Sequence, residues 1–84
     1  MKTCLHLHSD NSEQSVFYHL IDDILLVNQG DIVDYGQKYF HLLGIRAKEE
    51  FERFGLSKEK YKVLSTHLEV SGTENEIYVF LKPI

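Results

Sequence analysis

Apolar and polar positions alternate from the start of the chain. Thr3, Leu5 and Leu7 fall on one side of an extended segment, and Cys4, His6 and His8 on the other. That period of two belongs to a half-buried strand. Ser9-Asp10-Asn11-Ser12-Glu13-Gln14 follows as a run of short polar side chains. Such side chains hydrogen-bond their own backbone, so the chain is expected to reverse there. Residues 15–20 admit two readings. Val16, Phe17, Leu20, Ile21 and Ile24 line one face of a helix, with Asp10 and Glu13 at capping-box spacing. The same residues are β-favouring types, and a strand here pairs with the first as a hairpin, which is the reading taken.

Ile24 to Val27 is a short apolar run read as a strand and closed by Asn28-Gln29-Gly30-Asp31, where Gly30 supplies a tight turn before a second strand. Ile32 and Val33 then lead to a second Gly-containing turn, Asp34-Tyr35-Gly36-Gln37, and Tyr39 to Leu43 is aromatic and apolar enough for another strand. From Ile45 the period changes. Ala47, Phe51 and Phe54 fall at helical spacing among charged neighbours, predicting an amphipathic helix with Gly55 as its C-terminal cap and Ser57 opening a further helical turn. Residues 61–70 read as a strand with Leu64, Thr66, Leu68 and Val70 on one face. Tyr61 and Val63 break that register, so a β-bulge near Val63 is predicted. Ser71 to Asn75 reads as a loop, and Glu76 to Lys82 as a final strand with Ile77, Val79 and Leu81 opposite Tyr78 and Phe80. The last two strands form an antiparallel hairpin, and Pro83 ends it because it has no N–H to give a ladder.

These elements predict an α+β fold, a small curled antiparallel sheet or an SH3-like or OB-like barrel of five or six short strands, with one helix inserted before the C-terminal hairpin. With 84 residues there is room for one small domain, 1–84. Apolar residues make up 43% of the chain, including five Tyr and five Phe to fill a small core, so a folded chain is expected. The single cysteine forms no internal disulfide, which favours a reducing, cytoplasmic home. No apolar segment near residue 1 reads as a signal peptide, and no run approaches the roughly 18 residues of a membrane span, so a soluble protein without membrane contact is expected.

Charge refines that picture slightly. Residues 1–37 hold one lysine against six carboxylates, for −5, while the remainder holds eight basic and seven acidic side chains, for +1. The formal charge of −4 fits solubility, and the acidic pair Asp22-Asp23 is a candidate for electrostatic recognition of a basic partner.

Among possible chemical motifs, Leu5-His6-Leu7-His8-Ser9-Asp10 is the sharpest, because histidines two apart on a strand point the same way. It resembles the opening motif of PHP-type metallophosphoesterases and, more loosely, of amidohydrolases, in which His6 and His8 would be metal ligands. The large barrel that supplies the other ligands in those families exceeds 84 residues, so membership is rejected. A stand-alone site would join His6 and His8 to Asp10, Cys4, His19, His41 or His67. That spacing matches no standard zinc pattern, so the pair reads better as solvent-facing residues of a strand and no cofactor is assigned. Cys4 lacks a helix N-terminus or oxyanion donor nearby in sequence and reads as a small strand residue. Asp31 and Asp34 lack the calcium-loop pattern. Arg46, Lys48, Arg53, Lys58, Lys60 and Lys62 interleave with Phe51, Phe54 and Tyr61 as a nucleic-acid binder's residues do, yet four glutamates in the same stretch leave an excess of only +2, which disfavours nucleic acid.

No catalytic set is complete. The expectation is therefore a small non-enzymatic protein-binding module or inhibitor. A metal-binding protein or small metal-dependent hydrolase centred on His6 and His8 is one alternative, and a nucleic-acid binder through residues 46–62 is another. Unless a barrel closes, the first and last strands are expected at the sheet edges, with Tyr78 and Phe80 as an exposed aromatic pair. The chain is expected to self-associate or take a protein partner through the strand from Glu76 to Lys82 and its neighbour from Leu64 to Val70.

Overall fold

A computed structural model describes residues 2–9, 14–56, 59–71 and 74–84. The expected turn and capping residues Asp10 to Glu13, the expected helical turn at Ser57, and Gly72 and Thr73 of the expected loop lie outside them. The strands are β1 (Lys2–His8), β2 (Ser15–Ile21), β3 (Ile32–Asp34), β4 (Lys60–Ser71) and β5 (Glu74–Pro83). Two helices, α1 (Tyr35–Lys38) and α2 (Ile45–Arg53), and a 3-10 turn at Phe40–Leu42 occupy the stretch between β3 and β4.

The α+β class, the curled sheet and the helix before the terminal hairpin stand as the sequence pattern predicts. The five strands run in the order β2-β1-β5-β4-β3. Neighbours pair antiparallel, with one exception: β1 runs parallel to β5, Leu5 lying against Val79 and Leu7 against Leu81. The sheet is therefore mixed, where a purely antiparallel one was expected. This pairing also overturns the expected edges. The first and last strands hydrogen-bond on both sides at the centre of the sheet, and the ends are β2 and β3.

Alternation decides which face is core. Leu5, Leu7, Phe17, Ile21, Val63, Ile77, Val79 and Leu81 are buried on the inner face, where the helical layer lies. From that layer Phe51, fully buried, supplies the central ring: it packs edge-on to Phe17 at 5.5 Å and Phe40 at 5.0 Å and stacks on Tyr35 at 5.6 Å. The C-terminus of α2 is a Schellman turn. The Leu56 N–H donates to the Phe51 carbonyl (3.3 Å) and the Gly55 N–H to the Glu52 carbonyl (3.0 Å), which requires the left-handed φ of +69° that Gly55 adopts. The turn carries the chain off the helix, so Phe54, expected on the buried face, is exposed and Leu56 fills the core instead.

Two expected strands are absent. Asp34 caps α1 by accepting the Gln37 N–H on its carboxylate (3.3 Å), so the chain enters a helical turn where a reversal was predicted. Tyr39, Phe40 and Leu43, predicted as a strand, then reach the core from turns at helical spacing, tertiary packing overriding β-propensity. Ile24 to Val27 stays extended but unpaired in the sheet. Buried Thr3 holds it, its hydroxyl donating to the Asp23 carbonyl (2.7 Å) and accepting from the Leu25 N–H (3.0 Å). Leu25 and Val27 turn inward against the core, while Ile24 and Leu26 face solvent. The predicted bulge is present, between Val63 and Ser65 in the β4–β5 ladder. No helix among the described residues is long and apolar enough to cross a membrane.

Candidate functional site

The outer face of the sheet carries no helix among the described residues, and its central rows are aromatic. Cys4 lies between Leu20 of β2 and Tyr78 of β5; His6 lies between Tyr18 and Phe80. The His6 ring is edge-on to Tyr18 at 4.8 Å and to Tyr78 at 5.2 Å, and tilted against Phe80 at 4.7 Å. Tyr18 and Leu20 are more than half exposed, at 61% and 52%. Tyr78 stacks on His67 of β4 at 6.2 Å, and its hydroxyl donates to the Glu76 carboxylate at 3.0 Å. That hydrogen bond, with burial and the Glu76 charge, holds the phenol in its protonated form by raising its pKa.

A second bulge, between Leu7 and His8 in the β1–β2 ladder, lies toward the same end of this face as the Val63 bulge. Between the two is an open hollow of about 460 Å³ lined by His8, Ser15, Tyr18, Leu64, Ser65 and Phe80. His8 is almost fully buried, and neither its Nε2 nor that of His6 has a hydrogen-bond partner among the described residues.

The metal reading of His6 and His8 meets this geometry. His6 Nδ1 faces the Ser15 hydroxyl at 3.4 Å, and its ring is enclosed by aromatic side chains. Burial and the neighbouring His8 lower its pKa. Asp10 lies outside the described residues, and no group of three ligating side chains occurs among those described. Cys4 is half-buried, and burial together with Glu76 pushes its thiol up, opposite to what a thiolate nucleophile needs. In the basic segment 46–62, Phe51 and Tyr61 are core rings and are unavailable for stacking on bases.

Of the expected partner-binding residues, Tyr78 and Phe80 are brought together on the outer face, half-buried among the rings just described. Asp22 and Asp23 sit apart from that cluster on the exposed bend after β2, Asp22 within 4.0 Å of the Lys2 amine. Tyr18 and His6 were not singled out as partners for these rings. Alternation in β1 puts His6 on a face with Cys4 and His8, but only the sheet order sets it and Tyr18 beside Tyr78 and Phe80.

A buried polar pair lies on the inner face, where sequence gave no sign of it. His19 Nδ1 meets the Tyr35 hydroxyl at 2.9 Å. Burial lowers the His19 pKa, and burial with Tyr61 nearby raises that of Tyr35, so both stay neutral and the hydroxyl donates to the ring nitrogen. The unfolded chain takes up a proton on histidine near the ordinary value of about 6.5, while folded His19 resists it. Stability is thus expected to be flat above about pH 6.5 and to fall as pH drops below it. His6 adds to the loss with the same sign. Melting curves across this range should show the decline, flattened in a His19→Gln variant; a melting temperature that holds or rises on acidification would contradict it.

Neither a protein-family model, nor a curated protein, nor a solved structure matches this chain.

Proposed function

We propose that this chain is a small non-enzymatic protein-binding module or inhibitor, and that the outer face of its sheet is the recognition surface. One observation carries the reading: His6, Tyr18, Tyr78 and Phe80 form a ring cluster on the sheet face that has no helical layer among the described residues, with Tyr18 mostly in solvent. Tyrosines give large contact area for little lost side-chain entropy and keep a polar handle, which is why they dominate binding hot spots. His67, Glu69 and Glu76 edge the cluster with polar groups, as the rim of an interface requires. A single cysteine, with no second one to pair with in the chain, supports a reducing compartment such as the cytoplasm as its setting.

The test is affinity capture from the native host with wild type and a Tyr78→Ala/Phe80→Ala variant at matched loading. A protein retained by wild type should be held at least about tenfold more weakly by a variant whose melting curve still shows a folded chain. Equal retention would refute the surface.

A further inference from the structure

The end of the sheet formed by β2 has an unusual composition for an edge. Native edges are guarded by charge, proline or brevity, because every second residue points its N–H and C=O away from the sheet. β3, at the other end, is three residues long and bounded by Asp31 and Asp34. β2 is seven residues, Ser-Val-Phe-Tyr-His-Leu-Ile, with no charged residue, proline or glycine in a chain that holds 13 carboxylates. Its described backbone hydrogen bonds all run to β1, and none is made on its other side by any described residue.

From these observations we propose that two copies of this chain associate through β2, antiparallel, about a two-fold axis at His19, joining the two sheets into one. The sequence of β2 is self-complementary in that register. The bulge confines regular pairing to Phe17–Ile21. Antiparallel pairing centred on His19 sets Tyr18 beside Leu20 of the second copy on the outer face, and Phe17 beside Ile21 on the inner face. Every flanking pair is aromatic with aliphatic, the combination that strengthens cross-strand contacts. Tyr18 and Leu20 are among the most exposed large apolar side chains of the strands, and this pairing covers both. Charge permits this register: each copy carries −4, and here Asp22 and Asp23 fall opposite Val16 and Ser15 of the second copy, so no carboxylate meets another. The contact uses the same strand on both copies, so it closes at two and leaves only the short, acidic β3 edges outside.

Sedimentation of the full chain from about 1 μM to about 1 mM should show mass rising to twice 9.8 kDa and no further. Leu20→Lys puts two lysines into the paired strands at a solvent-exposed position and should weaken association at least about tenfold, without lowering the melting temperature measured at a concentration where both proteins are monomeric. Amide exchange of residues 17–21 in wild type should slow as concentration rises, a readout that stands even if the variant folds poorly. A mass that stays at one chain throughout, growth beyond two chains, or association abolished by Leu68→Lys/Val70→Lys but not by Leu20→Lys would each overturn the proposal. The Tyr78→Ala/Phe80→Ala variant leaves β2 intact, so loss of partner capture and loss of self-association are separable.

Discussion

Replacing Phe51 with alanine is expected to cost about 3–5 kcal/mol, the largest loss from any single truncation to alanine in this fold. Phe51 is fully buried and its ring touches Phe17 of the sheet, Tyr35 of α1 and Phe40 of the 3-10 turn, so one side chain joins every layer of the core. Domains of this size hold only about 0.05–0.15 kcal/mol per residue in reserve, which leaves the variant close to unfolded at room temperature. Urea denaturation should show the midpoint falling steeply with the slope retained. An unchanged midpoint would mean that α2 does not pack on the sheet.

Neighbouring positions of β5 should respond in opposite ways to polar substitution. Val79 has no solvent exposure and lies between Leu5 of β1 and Thr66 of β4. Val79→Asp buries a carboxylate with no partner of opposite charge on either side, a cost of several kcal/mol that should abolish the cooperative thermal transition. Tyr78, one residue earlier, is on the outer face, where its hydroxyl already reaches Glu76. Tyr78→Ser should keep a cooperative transition and lose about 1 kcal/mol. If both variants unfold, the outer face is packed more like a core than its half-exposed rings imply; if both melt like wild type, the inner-face assignment of β5 is wrong.

Much of this arrangement is written in local periodicity. The alternation of Leu5 and Leu7 with His6, and of Ile77, Val79 and Leu81 with Tyr78 and Phe80, sorts residues to faces correctly, because side chains of a strand have no other geometry. Gly55 marks the end of α2, and the conflict between Val63 and Thr66 marks the bulge. What periodicity does not carry is which strands become neighbours. The parallel β1–β5 pair joins residues more than 70 positions apart and leaves no local trace, yet it moves both strands from the edge to the centre and gathers His6 between Tyr18 and Phe80. The aromatic stretch Tyr39 to Leu43 misleads for a related reason. Rings favour strands only where a pleated surface receives them, and here the core receives them from a helical layer opened by the Asp34 cap. The candidate site is thus half legible: Tyr78 and Phe80 stand out in the sequence as a surplus aromatic pair, while Tyr18, His6 and the hollow beside His8 emerge only from the sheet order.

Hydroxyl-radical footprinting of aromatic and leucine side chains, in the free chain and in complex with the captured partner, tests the outer-face assignment most directly. In the free chain, at a concentration too low for self-association, Tyr18 should label fastest and Tyr78 and Phe80 more slowly, while Tyr35, Tyr61 and Phe51, all without solvent exposure, should stay unlabelled. In the complex, labelling of Tyr18, Tyr78 and Phe80 is expected to fall together. Unchanged labelling of these three, with protection instead at Leu26 and Leu68 on the far end of the inner face, would contradict it.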